Sequence, residues 1–198
     1  LDELFNKKLK KIKENIFTDD PNNFFSHYLH RIESGKDNAS DKRILLEYID
    51  KLDNSKILTK RNLFIFRKIF FSKNKEKFNL LYDLGILAKF VPEFSKISFL
   101  PQFDRFHSLT VGQHTLKAVN ILKELDGKQI KKKKYNFFYD EFKKKFNKKA
   151  LYYATLLHDI GKGMGGGHNE KGAKFAKEIV TKFLEKDKII EETSWLVL

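Results

Sequence analysis

The sequence predicts an all-α protein, and three observations carry that prediction. Apolar residues recur at three- and four-residue steps through nearly every segment. Capping residues stand just before several of those stripes. No strand alternation, hairpin turn or internal repeat interrupts them.

The first stripe, Leu4, Phe5, Leu9, Ile12 and Ile16, predicts a helix over 1–16. Asp20-Pro21 starts the next: Asp20 can cap orphan amides and Pro21 suits the first helical position. That helix carries Phe24, Phe25, Tyr28 and Leu29 and ends at Gly35. Ser40 is the expected cap of a helix bearing Ile44, Leu45, Tyr48 and Ile49. Helices are expected over 62–71 and 77–91, the second closing at Pro92, with a break allowed at Gly85. Residues 102–107 have no period and read as a loop. Thr110-Val111-Gly112-Gln113 fits a capping box opening a helix with His114 in its first turns. Residues 150–159 form an apolar helix stopped by Gly161 and the glycines that follow. Asn169 is the expected cap of a helix bearing Ala173, Ala176, Ile179, Val180 and Phe183, and a last helix starts near Ile189.

Composition narrows the function. The 198 residues suffice to bury a core. The absence of cysteine excludes a disulfide scaffold, a thiolate metal site and a Cys nucleophile, and fits a reducing compartment, so a cytoplasmic location is expected. The longest apolar run, Ala150 to Leu157, is too short to span a bilayer, so no membrane partner is expected. Nothing near the start reads as a signal peptide. The first residue is Leu and the last four are apolar, so the expectation is a chain cut at both ends.

The net charge is +14, and residues 128–149 hold 10 Lys against Asp140 and Glu141, a local excess of +8. Lys dominates Arg, as an AT-rich genome also produces, so nucleic acid is not the expected partner. Within this stretch Tyr135, Tyr139, Phe142 and Phe146 predict an amphipathic helix laid on the core under a Lys coat.

Three pieces carry chemistry: His114 near a helix start, His158-Asp159 at a helix end, and the glycine-rich loop 161–167 ending at His168. Imidazole and carboxylate together suit Mn²⁺, Fe²⁺, Zn²⁺ or Mg²⁺. Adjacent helical residues diverge by about 100°, but at a helix C-terminus both can reach one ion, where the dipole favours a cation. The bland alternative is a dipole partner and a plain glycine C-cap. His27 and His30, three apart without an accompanying carboxylate motif, read as ordinary helix histidines.

Leu156-Leu157-His158-Asp159-Ile160-Gly161-Lys162-Gly163, with His114 upstream, resembles the HD superfamily of metal-dependent phosphohydrolases. The runs 84–94, 102–116, 166–173 and 195–197 are similar to the central region of the bifunctional PII uridylyltransferase/uridylyl-removing family. The resemblance implies an HD helical bundle, truncated at its C-terminus, at 96–198, with a Lys-rich insertion at about 127–149, preceded by a helical annex at 1–95. It implies hydrolysis of the phosphodiester joining UMP to a tyrosine of the PII signalling protein. It makes His114, His158 and Asp159 ligands of a divalent ion, Mn²⁺ or Mg²⁺, and Lys162 and His168 catalytic groups. Asp104, Arg105 and His107 become candidates for the pocket mouth.

The chain departs from the family where Gly112-Gln113 replaces Asp-Glu and Gly167-His168-Asn169 replaces Gly-Asp-His-Ser. A further aspartate ligand is expected beyond Leu198. The competing expectations are an HD enzyme acting on a free nucleotide or cyclic dinucleotide, a helical scaffold with a decayed metal site, and a nucleic-acid-binding helical domain.

Overall fold

The computed structural model describes residues 21–101, 109–127, 130, 133–163 and 166–198. The helix expected over 1–16, the Asp20 cap and the trio Asp104, Arg105 and His107 lie outside these residues.

The described chain is all-helical, its one trace of β pairing being an isolated antiparallel bridge between Pro101 and Thr110. The helices are α1 (Pro21–Ser34), α2 (Ala39–Tyr48), α3 (Lys60–Phe70), α4 (Lys75–Asp83), α5 (Ile86–Phe90), α6 (Pro92–Ile97), α7 (Val111–Asp126), α8 (Lys133–Lys145), α9 (Lys148–Leu157), α10 (His168–Lys182) and α11 (Asp187–Val197). Two 3₁₀ turns, Ile49–Lys51 and Asn54–Lys56, join α2 to α3. One continuous apolar core runs through all of it. No helix among the described residues is long and apolar enough to cross a membrane.

Several helices begin earlier than the sequence suggests, four of them at a side-chain cap. Asn38, not Ser40, caps α2, its Oδ1 accepting from the Asp41 amide at 2.9 Å. Thr59 caps α3 through the Asn62 amide, so that helix opens at Lys60. Asn74 caps α4 and Asn147 caps α9. Asn169 is not a cap, because α10 already starts at His168, after Gly167 in the left-handed region. The last helix opens at Asp187, two residues before Ile189. The single helix expected over 77–91 is two, broken at Gly85, whose φ of +69° a side chain would strain. Pro92 does not merely end it but opens α6 as its first residue.

In the first half, α1 packs on α3, and α4 joins both. In the second, α9 lies between α7, α10 and α11, and α10 packs along α11. The halves meet where α4 and α6 touch α7 and where Phe66 and Phe70 of α3 meet Phe183 and Tyr153. The α8 stripe seats Tyr139 in the core, while Tyr135 stays about half exposed and Phe146 stacks on Trp195 with ring centres 5.8 Å apart. The Phe142 side chain lies outside the described set.

Candidate metal centre

Two helix ends build the site. At the start of α7, the Thr110 hydroxyl accepts from the Gln113 amide at 3.2 Å and the Gln113 side chain accepts from the Thr110 amide at 3.1 Å. This is the capping box that the sequence predicts. The preceding turn satisfies further orphan amides: Val111 donates to Leu100 O at 2.9 Å and Gly112 to Ser98 O at 3.2 Å. His114 thus projects from a helix start whose backbone is tied on both sides.

Gly112 has a structural reason. A Cβ there would lie 2.7 Å from Ser98 O and 2.8 Å from both Ser98 Cα and the Tyr82 hydroxyl. Only a residue without a side chain lets α7 dock this closely on the end of α6. The position where the resembling family carries an acid has no room for one.

At the other end, α9 stops at Leu157 and His158 is its C-cap. Leaving the helix here lets adjacent residues converge. His158 Nε2 and Asp159 Oδ2 are 3.3 Å apart, and Lys162 Nζ is 3.0 Å from the same oxygen. Gly161 then lets the turn press against α10, since a Cβ there would fall 2.1 Å from His168 O. The His114 and His158 rings are tilted by 59° with centres 5.3 Å apart. One donor atom from each of His114, His158 and Asp159 falls within 4.8 Å of the other two.

Does this group suit a cation? Ligand bonds of about 2.1 Å place donors up to about 4.2 Å apart around one ion, so small rotamer changes suffice. His158 Nδ1 lies 2.9 Å from Thr155 O, which fixes the proton on Nδ1 and turns the Nε2 lone pair toward Asp159. Two lone-pair carriers then face each other at 3.3 Å, a contact that only a proton or a metal ion makes favourable. Buried Asp159 Oδ2 has ion pairs but no hydrogen bond of good geometry. The residues fit a divalent ion.

The electrostatics agree. Burial alone would raise the Asp159 carboxyl, but the close contacts and charges of His158 and Lys162 outweigh it and hold the pKa at about 2. Burial would lower His158, and its contact with Asp159, the carboxylate charge and the Thr155 carbonyl together raise it instead.

The structure therefore brings His114, His158, Asp159 and Lys162 together. His168 is exposed on the first turn of α10 and lies outside the three-donor group. His27 and His30 are exposed surface residues, His30 facing Glu33 at 3.7 Å. What sequence reasoning missed is Lys123, a fully buried lysine on the helix that carries His114. Its only signal is its place, i+4 from Val119 and beside Leu122, inside the apolar stripe of α7.

Comparison with known proteins bears on the same half of the chain. Residues 106–198 match the HD domain family. The bifunctional uridylyltransferase/uridylyl-removing enzyme of Rhodospirillum rubrum is 34% identical over 117 residues, 59% of this chain and 12% of that protein. The enzymes of the same name from Phenylobacterium zucineum and Azospirillum brasilense are 36% and 34% identical over 119 and 115 residues. These cover 60% and 58% of this chain, and 12% of each relative. The chain thus spans about an eighth of the length of the curated relatives it matches.

Proposed function

We propose that the HD-like half is a metal-dependent phosphohydrolase acting on a phosphodiester, and that its reaction is removal of UMP from a uridylylated PII signalling protein. The observation that carries the reading is the convergence of His114, His158 and Asp159 from two helices onto one point. The relatives' names support the uridylyl-removing specificity.

A divalent ion, Mn²⁺ or Mg²⁺, held there supplies a bound water of lowered pKa and a Lewis acid for the phosphoryl oxygen. The chain's own residues do the rest. His114, His158 and Asp159 hold the ion, and the Thr155 carbonyl keeps His158 Nε2 free to do so. Lys162 keeps Asp159 ionised and supplies positive charge where phosphoryl charge builds. His168, outside the donor group, serves as a phosphate contact or proton donor from the start of α10. The tyrosine phenolate is a fair leaving group and asks little help from an acid. In this reading residues 1–95 are an annex, of which α4 packs along α7.

A second reading is a helical connector with a weakened metal site, and the packed Gly112, which leaves no space for an acid, favours it. One experiment separates the two. UMP release from uridylylated PII with Mn²⁺ or Mg²⁺ is measured for the full-length protein, His158→Ala and Asp159→Ala. Hydrolysis predicts a fall of at least about 100-fold in both variants, the scale of lost metal activation. Equal rates in all three proteins would refute chemistry at this site.

A further inference from the structure

Lys123 is the least expected residue of the fold. It is 0% exposed, and its ammonium lies 2.5 Å from Phe70 O, 2.7 Å from Ser72 O and 3.5 Å from Ile69 O. These carbonyls belong to the C-terminal end of α3, the negative end of that helix's dipole. The rings of Phe78, Tyr152 and Phe70 surround it, with centres 5.1, 5.5 and 5.9 Å from Nζ. A charge this deep is costly, and burial, with repulsion from Lys148, pushes its pKa down to about 7 against the pull of Asp126.

The position on the helices matters more than the charge. Along α7 and α9 three contacts fall in one antiparallel register. His114 meets His158, Lys123 meets Tyr152, and Asp126 meets Lys148 at 2.5 Å. Asp126 also accepts from the Tyr139 hydroxyl at 2.8 Å, which ties α8 to the same end. The metal centre is the first rung of this ladder. Lys123 lies nine residues after His114, about 13.5 Å along α7, and Tyr152 six residues before His158, about 9 Å along α9.

We propose that Lys123 is a positioning residue for the metal centre: by pinning α7 to the end of α3 and to Tyr152 of α9, it sets the separation of His114 from His158. The proposal rests on the metal reading above. Its physical basis is direction. Apolar side chains along two helices tolerate a small slide or rotation at little cost. An ammonium shared among three fixed carbonyls and three rings has one satisfactory place, and a slide would leave it buried and unpaired. The ammonium therefore fixes the register of α7, and the two imidazoles inherit it.

The test is Mn²⁺ binding to the full chain, by calorimetry and by the loss of the free-ion electron paramagnetic resonance signal. Lys123→Met removes every donor. Lys123→Gln keeps an amide that can serve part of the carbonyl cluster and provides the measurement if the Met variant does not fold. Leu29→Ala, in the buried face of α1, is a control that loses stability at a residue outside the contacts of Lys123 given above. The expected result is Mn²⁺ affinity at least ten-fold weaker in Lys123→Met, intermediate in Lys123→Gln, and within two-fold of wild type in Leu29→Ala. Wild-type affinity in both Lys123 variants would overturn the positioning role while leaving the metal site standing. Equal weakening in Leu29→Ala would reduce the effect to general stability and overturn it as well. A wild-type protein that binds no Mn²⁺ would remove the metal reading, and this proposal with it.

Discussion

Around Phe66 the molecule is held by stacked rings, whereas around Lys123 and Glu185 it is held by buried charge. Phe66 lies 4.3 Å from the Phe90 ring centre, 5.4 Å from Phe183 and 5.8 Å from Phe70. The Glu185 side chain, 4% exposed, is met by Tyr153 Oη at 3.1 Å, Lys149 at 3.2 Å and Arg67 at 3.5 Å. Rings reward volume and tolerate rearrangement, whereas paired charges reward one geometry. The helices that present His114 and His158 are fastened by the second kind of contact. The contrast suggests a division of labour in which the ring cluster supplies stability and the polar links supply precision.

The sharpest way to break that comparison is Phe66→Ala. It should cost about 3–5 kcal/mol of stability, the usual range for a large buried ring. Mn²⁺ affinity of the folded fraction should stay unchanged. Denaturant unfolding paired with a metal titration reads both, and a parallel loss of affinity would erase the distinction.

A pH series sharpens it next. Unfolded lysine keeps its proton to about pH 10.4, while folded Lys123 releases its proton near 7. Between these values the unfolded chain binds more protons, so stability should rise with pH, by at most about 1.4 kcal/mol per unit. Asp126 faces Lys123 and stays ionised through this window, because the bonds of Lys148 and Tyr139 outweigh its burial, while Tyr139 and Tyr152, raised chiefly by burial, stay neutral. Urea melts at pH 7.5 and 9.5 should show the rise in wild type and a flat response in Lys123→Met.

The smallest effect lies between α10 and α11. Leu184 has φ of +58°, is mostly exposed, and follows Phe183, whose carbonyl accepts from Arg67 at 3.0 Å. A non-glycine residue in that region carries strain of about 1–2 kcal/mol, part of which the entropy of an unfolded glycine cancels. Leu184→Gly should therefore stabilise by about 0.5–1 kcal/mol, seen as a raised melting temperature with metal affinity unaltered.

Much of this was legible from the residues. The apolar stripes place the helices, and the Thr110–Gln113 box is present bond for bond. The pairing of His158 with Asp159 required the helix to end at Leu157, two residues short of the Asp159 end that Gly161 predicts. What periodicity cannot reveal is the neighbour across space. The approach of His114 to His158 spans 44 positions of chain and exists only because α7 and α9 run antiparallel. Lys123 was hidden among 35 lysines, since burial of an ammonium depends on acceptors presented by a different helix. Helix starts slipped by a few residues because several Asn, Ser and Thr compete for each cap, and local backbone decides among them.

The seat of Gly112 against Ser98 has a consequence for anyone who would re-engineer this protein. A carboxylate cannot be installed beside His114 by altering codon 112 alone, because the strand of chain through Ser98 occupies that volume. The loop at the end of α6 and the start of α7 would have to change as a pair.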